Sequence, residues 1–166
     1  MMLLMFLMGI AAVFLLEKFV VTTDRVSGFS MQPTLQNGEL LLVDRIVYRF
    51  EKPHYGDIVA IKWGANGLVK RVIGLPGDVI QIHGGWVYRN GKKLHEPYTA
   101  TATAGTYGPV TVPANCIFVL GDNRNESRDS RSIGFIPLAD VMGRADVILL
   151  PFHNFHVQPF GSSRPD

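Results

Sequence analysis

At 166 residues, with 47% hydrophobic and 18% charged side chains, the chain is long enough for one domain with a real core and too apolar to be read as disordered. Its formal charge of +2 is small, and its Lys and Arg residues are interspersed with Asp and Glu, so no nucleic-acid footprint shows and a polyanion partner is not expected. The single cysteine, Cys116, cannot form an internal disulfide; in the apolar run Cys116-Ile117-Phe118-Val119-Leu120 it reads as a buried core thiol, without the electropositive setting a cysteine nucleophile needs.

The chain opens on an uncharged apolar run, residues 1–16, and after Glu17-Lys18 the apolar character resumes with Phe19-Val20-Val21. Sixteen residues give about 24 Å of helix against a hydrocarbon thickness of about 30 Å, so a span needs the residues past Lys18, whose ammonium can snorkel to the headgroups. Residues 1–22 are therefore expected to form a transmembrane anchor. A cleaved secretory leader is the first rival, but no basic stretch precedes the run and only Val26-Ser27-Gly28 follows as a weak cleavage site. A buried core helix is the second.

From about residue 24 the chain reads as short strands between turn signals, with no convincing amphipathic helix, which predicts a mainly β fold of antiparallel sheets. Strands are expected at 39–45, 57–62, 68–74, 79–82, 86–89, 116–120 and 141–149. Asn90-Gly91, between Trp86-Val87-Tyr88-Arg89 and Lys92-Lys93-Leu94, is a type I′ hairpin signal. The expected organisation is a β domain over 23–152, with a small insertion over about 84–114 and a loose tail over 153–166. Residues 96–114, rich in Thr, Ala, Gly and Pro, are expected to be a loop or an extended insertion.

Three segments carry the candidate chemistry. Ser27-Gly28-Phe29-Ser30-Met31-Gln32-Pro33-Thr34-Leu35 is a non-periodic stretch holding a serine, which reads as a plain turn unless a base lies near. No Gly-x-Ser-x-Gly elbow is present and none of the five histidines has an obvious acidic orienter, so a Ser-His-Asp triad is disfavoured. In Leu68-Val69-Lys70-Arg71-Val72-Ile73, strand alternation sets Lys70 between Leu68 and Val72 on one face. A lysine in such surroundings loses hydration of its charged form, its pKa falls, and its neutral amine can take a proton from serine; the bland alternative is a solvent-facing edge lysine. The third segment, Gly121-Asp122-Asn123-Arg124-Asn125-Glu126-Ser127-Arg128-Asp129-Ser130-Arg131, is a dense polar loop. Its arginines compete for the carboxylates and EF-hand spacing is absent, so no metal site is expected.

Taken in order, Ser30-Met31-x-Pro33-Thr34-Leu35, Lys70-Arg71-Val72-Ile73-Gly74-Leu75-Pro76-Gly77-Asp78 and Gly121-Asp122-Asn123 followed by Ser127-x-Asp129-Ser130-Arg131 resemble the type I signal peptidase family, the bacterial leader peptidases. The resemblance implies a signal peptidase-like β-barrel fold and a membrane-bound serine endopeptidase that removes signal peptides from exported preproteins after an Ala-x-Ala pattern. It implies Ser30 as the nucleophile and Lys70 as base and then acid, with Ser127 bonded to the Lys70 amine and Asp129 paired with Arg131 to hold the loop. Val26, Met31, Leu35 and Val69 are, by motif position, the substrate-pocket candidates. The Ser30 N–H would be one oxyanion donor. Gly28 stands where one branch of the family has a serine that supplies the second, so that donor is unassigned. The family uses neither metal nor organic cofactor, and its partners are preproteins and membrane lipid, not nucleic acid. The setting implied is a single-pass protein of the cell membrane with its catalytic domain on the extracytoplasmic side. The competing readings are a non-catalytic membrane-tethered β module that binds extended peptides, and another Ser/Lys peptidase of the same fold, such as the self-cleaving repressor type.

Overall fold

The computed structural model of the protein describes residues 5–6, 8–9, 21–65, 67–150 and 156–157. The expected anchor lies almost wholly outside these residues, and its last two positions, Val21 and Thr22, open strand β1 (Val21–Arg25) instead. No helix among the described residues is long and apolar enough to cross a membrane.

The strands that follow are β2 (Leu40–Asp44), β3 (Ile58–Ile61), β4 (Leu68–Gly74), β5 (Val79–His83), β6 (Trp86–Arg89), β7 (Lys92–Lys93), β8 (Tyr107–Thr111), β9 (Cys116–Leu120), β10 (Ile136–Pro137), β11 (Val141–Leu150) and β12 (His156–Val157). Each expected strand is present. The Asn90-Gly91 turn is there too, with both residues at positive φ, 53° and 78°. Three expectations need correction. Tyr107–Thr111 is a strand and not loop; its Gly108-Pro109 pair is tolerated because β8 is an edge strand bonded only to β5, so the missing proline N–H interrupts no inner ladder. His156–Val157, in the expected loose tail, pairs with β11. Cys116 is half-buried, packed against the core from its edge rather than sunk in it.

All pairings are antiparallel. The large sheet runs β1-β2-β11-β3-β4-β9-β10, with β12 also on β11, and the small one runs β7-β6-β5-β8. The small sheet spans residues 79–111. Strand β4 lies inside the large sheet, and from Lys70 to Gly74 every residue is buried, so side chains on both of its faces meet protein. The 26–39 connection between β1 and β2 is closed at its base by Val26 N–H to Glu39 O and Gly38 N–H to Val26 O. It plugs Met31 and Leu35 into a core with Leu41, Val43, Ile58, Ala60 and Ala145. Burying such a side chain contributes about 1.5–3 kcal/mol, enough to hold an otherwise irregular loop in one place. A second core joins the two sheets through Ile73, Ile80, Ile82, Val87, Phe118 and Leu120.

Close approach of β11 to β2 depends on Gly143, beside an irregularity in the β11 register. A methyl there would overlap the Asp44 carbonyl and press to 2.9 Å of Val43 Cγ1. Gly143→Ala is expected to lower stability by about 1–3 kcal/mol in urea denaturation; a variant as stable as its parent would show that the two strands can part without cost.

Candidate active site

The nucleophile candidate is presented by the turn that the 26–39 connection makes as it plugs the core. Gly28, at φ +97°, bends the chain before Ser30, and its N–H donates to Asn37 Oδ1 at 2.9 Å. A methyl on Gly28 would meet nothing within 4 Å, so the glycine answers the backbone angle and not a lack of room. Because its N–H is already engaged, Gly28 is not a spare oxyanion donor. The Ser30 N–H, by contrast, makes no hydrogen bond among the described residues.

The structure brings Ser30 and Lys70 together. Lys70 Nζ lies 2.8 Å from Ser30 Oγ and donates to the Val69 carbonyl, also at 2.8 Å. The β3–β4 register sets Lys70 opposite Val59, which is fully buried, and Lys70 itself is 2% exposed. Burial lowers its pKa from 10.5 to about 8, and the Asp129 and Asp122 carboxylates oppose the shift without cancelling it. At pH 7 about one amine in ten is then neutral, against about three in ten thousand for an ordinary lysine.

Of the loop residues, Asp129 and Arg131 pair as expected. Asp129 is fully buried and accepts from Arg131 Nε and Nη2 at 2.8 Å each, and from the Gly121 N–H at 3.0 Å. Burial alone would raise its pKa, but these bonds, the Arg131 charge and the nearby Ser127 hydroxyl outweigh it and hold the carboxyl below its ordinary value. Asp129 also caps the one-turn helix Ser130–Ile133. Ser127 departs from expectation: it makes no hydrogen bond to Lys70, and its Oγ is the one buried side-chain polar atom among the described residues without a partner of good geometry. The Lys70 amine spends its contacts on Ser30 and the Val69 carbonyl instead.

The four pocket candidates divide. Val26, Met31 and Leu35 are 6%, 2% and 0% exposed, core side chains with almost no surface of their own, while Val69 is half-buried and packs against them. The first three are a floor beneath the site, and Val69 is the one with a wall to offer.

Sequence reasoning left out the ion pair that binds the three segments to one another. Arg71, next to Lys70, donates to Asp122 through Nε at 2.8 Å and Nη2 at 2.6 Å, and to the Gly56 carbonyl through Nη1 at 2.9 Å. Thr34, four residues past Ser30, donates its hydroxyl to the same carboxylate. The guanidinium lies 4.0 Å over the Tyr98 ring. Removing one partner of a buried pair like this costs about 3–5 kcal/mol. Its signal was legible: an arginine in the middle of a buried strand has to find a counter-ion. Arg124 gave no such signal. It is 1% exposed and bonds Glu96 at 2.6 and 3.0 Å, Thr103 Oγ1 at 2.9 Å and the Gly121 carbonyl at 2.9 Å, partners that no local pattern predicts.

Comparison with known proteins gives a consistent result. The family model described as signal peptidase, peptidase S26, matches residues 1–150. The chain is 42% identical over 144 residues to a probable signal peptidase I-2 of Synechocystis, covering 82% of this chain and 66% of that protein, so it spans just under two thirds of that relative's length. It is 38% identical over 165 residues to a signal peptidase I of Bacillus caldolyticus, covering 90% and 91%. The crystal structure of a signal peptidase I from Enterococcus faecalis superposes with a TM-score of 0.51 at 35% identity, covering 57% of this chain and 97% of that one.

Gly121 lies where the loop passes close to Ser30. A methyl there would overlap both Ser127 Cβ and Oγ and the Ser30 carbonyl oxygen. Gly121→Ala is expected to reduce kcat by about 10²-fold, the scale of a misplaced reacting group, with a smaller change in KM. Wild-type kcat in a folded Gly121→Ala protein would show that the loop position does not matter to the dyad.

Proposed function

Because the chain belongs to the signal peptidase family, peptidase S26, its activity is serine endopeptidase cleavage of signal peptides from secreted proteins, and we propose that Ser30 and Lys70 carry the reaction. The supporting observation is a single one: an amine enclosed by protein, with its pKa drawn down to about 8, lies 2.8 Å from a serine hydroxyl. In that state the neutral amine takes the Ser30 proton as Oγ adds to the scissile carbonyl. The resulting oxyanion is met by the uncommitted Ser30 N–H. On collapse the C–N bond breaks, the Lys70 ammonium returns the proton to the leaving amine, and an ester on Ser30 remains. Water, deprotonated by the same lysine, then releases the signal peptide as a carboxylate and restores both groups.

The proposal extends to the surroundings. Asp129 and Arg131 fix the loop that backs the dyad, and Ser127 turns toward the Lys70 amine once substrate fills the site. Cleavage follows small residues in an Ala-x-Ala pattern, because Val69, backed by the tightly packed Val26, Met31 and Leu35, leaves little room beside Ser30. The apolar N-terminal run anchors the enzyme in the cell membrane in a single pass, with the β domain on the extracytoplasmic side where cleavage sites emerge. The Ser30–Lys70 contact speaks against a module that only binds peptides.

Two outcomes are expected. Ser30→Ala and Lys70→Ala should each abolish cleavage of a preprotein bearing Ala at −1 and −3, with a loss of at least about 10⁴-fold; unreduced cleavage by either protein would falsify the dyad. The pH profile carries the sign: a base must be deprotonated, so kcat/KM should fall about tenfold per unit as pH drops below about 8 and level off above it. A rate unchanged from pH 9 to pH 6 rules out a lysine base, on the order of a hundredfold loss being required.

A further inference from the structure

A cleft of about 430 Å³ lies between the 121–131 loop and the segment 104–107 that leads into β8. Ser127 lines it, and Gly121 is flanked closely by both Ser127 and the Ser30 carbonyl, which brings the two near one another. The cleft therefore borders the reacting centre. None of Val26, Met31, Leu35 and Val69 contributes to it, so it is a different flank from the one assigned to the residues before the scissile bond.

Its chemistry is one-sided. The wall is polar: it holds the hydroxyls of Ser127, Ser132 and Thr106, the Asn125 amide, and the guanidiniums of Arg124 and Arg131, of which Ser132, Asn125 and both arginines already donate within the protein; no carboxylate lines it. Ser127 Oγ, buried beside the Asp129 carboxylate, makes no hydrogen bond of good geometry, so a better-placed acceptor can take its proton. An extended peptide supplies such acceptors along its backbone. A peptide lying across Ser30 and Lys70 has its acyl half on one flank and its amine half on the other, and Lys70 must reach the departing amine to return the proton.

We infer that this cleft receives the first residues of the mature chain, those after the scissile bond, and that it favours acidic or neutral polar side chains there over lysine and arginine. This rests on the peptidase reading above. The preference is modest in size, because Arg124 and Arg131 are already paired with Glu96 and Asp129.

The test uses synthetic peptides that share one acyl half with Ala at −1 and −3. One set ends in a single amidated residue after the scissile bond; the other continues for five residues, with Asp or Lys at the second. Thr106→Trp and Ala104→Phe fill the cleft from exposed positions, where the fold is expected to tolerate them, and the short peptide reports whether the dyad is intact. Both variants should raise KM for the long peptides by about fivefold or more and leave the short one within about twofold. The unsubstituted enzyme should cut the Asp peptide about three- to tenfold better than the Lys peptide at low salt, a gap that narrows in both variants. Equal effects on the two lengths, or no effect in either variant, overturn the assignment of the cleft while leaving the peptidase reading in place. If the unsubstituted enzyme cuts neither length, the dyad reading falls and this inference falls with it.

Discussion

An ammonium group shut away from water is held at a disadvantage, and the site is arranged around that disadvantage. Lys70 occupies a strand with protein on both faces, and burial makes its neutral form accessible near physiological pH. Two carboxylates, Asp129 and Asp122, stand close enough to pull the other way. Each is occupied by its own arginine, Arg131 and Arg71, which blunts its hold on the lysine. The balance that results suits the base we propose, strong enough to take a serine proton and free enough to be unprotonated before it does so.

Placing that amine against Ser30 is a problem in long-range geometry. Ser30 comes from the connection between β1 and β2, while Lys70 is on β4, with β11 and β3 between β2 and β4 in the sheet. The turn crosses that distance because Met31 and Leu35 are buried in the core on either side of its bend. Polar locks then fix it from above: the Ser30 carbonyl accepts from the Asn123 N–H, Phe29 O accepts from Asn123 Nδ2, and Thr34 shares Asp122 with Arg71. Arg124 extends the same lock to Glu96 and Thr103 in the connection from β7 to β8. The polar loop is thus anchored at its buried positions, Asp122, Arg124 and Asp129, while Asn125, Glu126 and Arg128 are exposed.

Gly121 and Gly143 show how this arrangement limits sequence. Both lie where a methyl would run into backbone, one beside the Ser30 carbonyl and one between β11 and β2. Gly28 has a different reason, a positive φ in open space, which accounts for glycine at a position where a serine side chain would otherwise have fitted.

Local order in the chain was enough to determine the strands with clear alternation or turn signals, the hairpin at Asn90-Gly91, and the identity of the serine and lysine worth pairing, because these depend on short-range periodicity and on residues out of character with their neighbours. The family resemblance rested on the same local motifs. Short edge strands such as β8 and β10 escaped, since their hydrogen bonds come from partners far along the chain and their own residues carry no pattern. Tertiary structure alone decided that Lys70 is enclosed, that Ser127 is left without a partner of good geometry, that Arg71 and Arg124 find Asp122 and Glu96, and that Val26, Met31 and Leu35 sit beneath the site rather than along it. Each of these depends on which distant surfaces exclude water from a given group, and solvent exclusion is a property of the packed chain that no segment holds by itself.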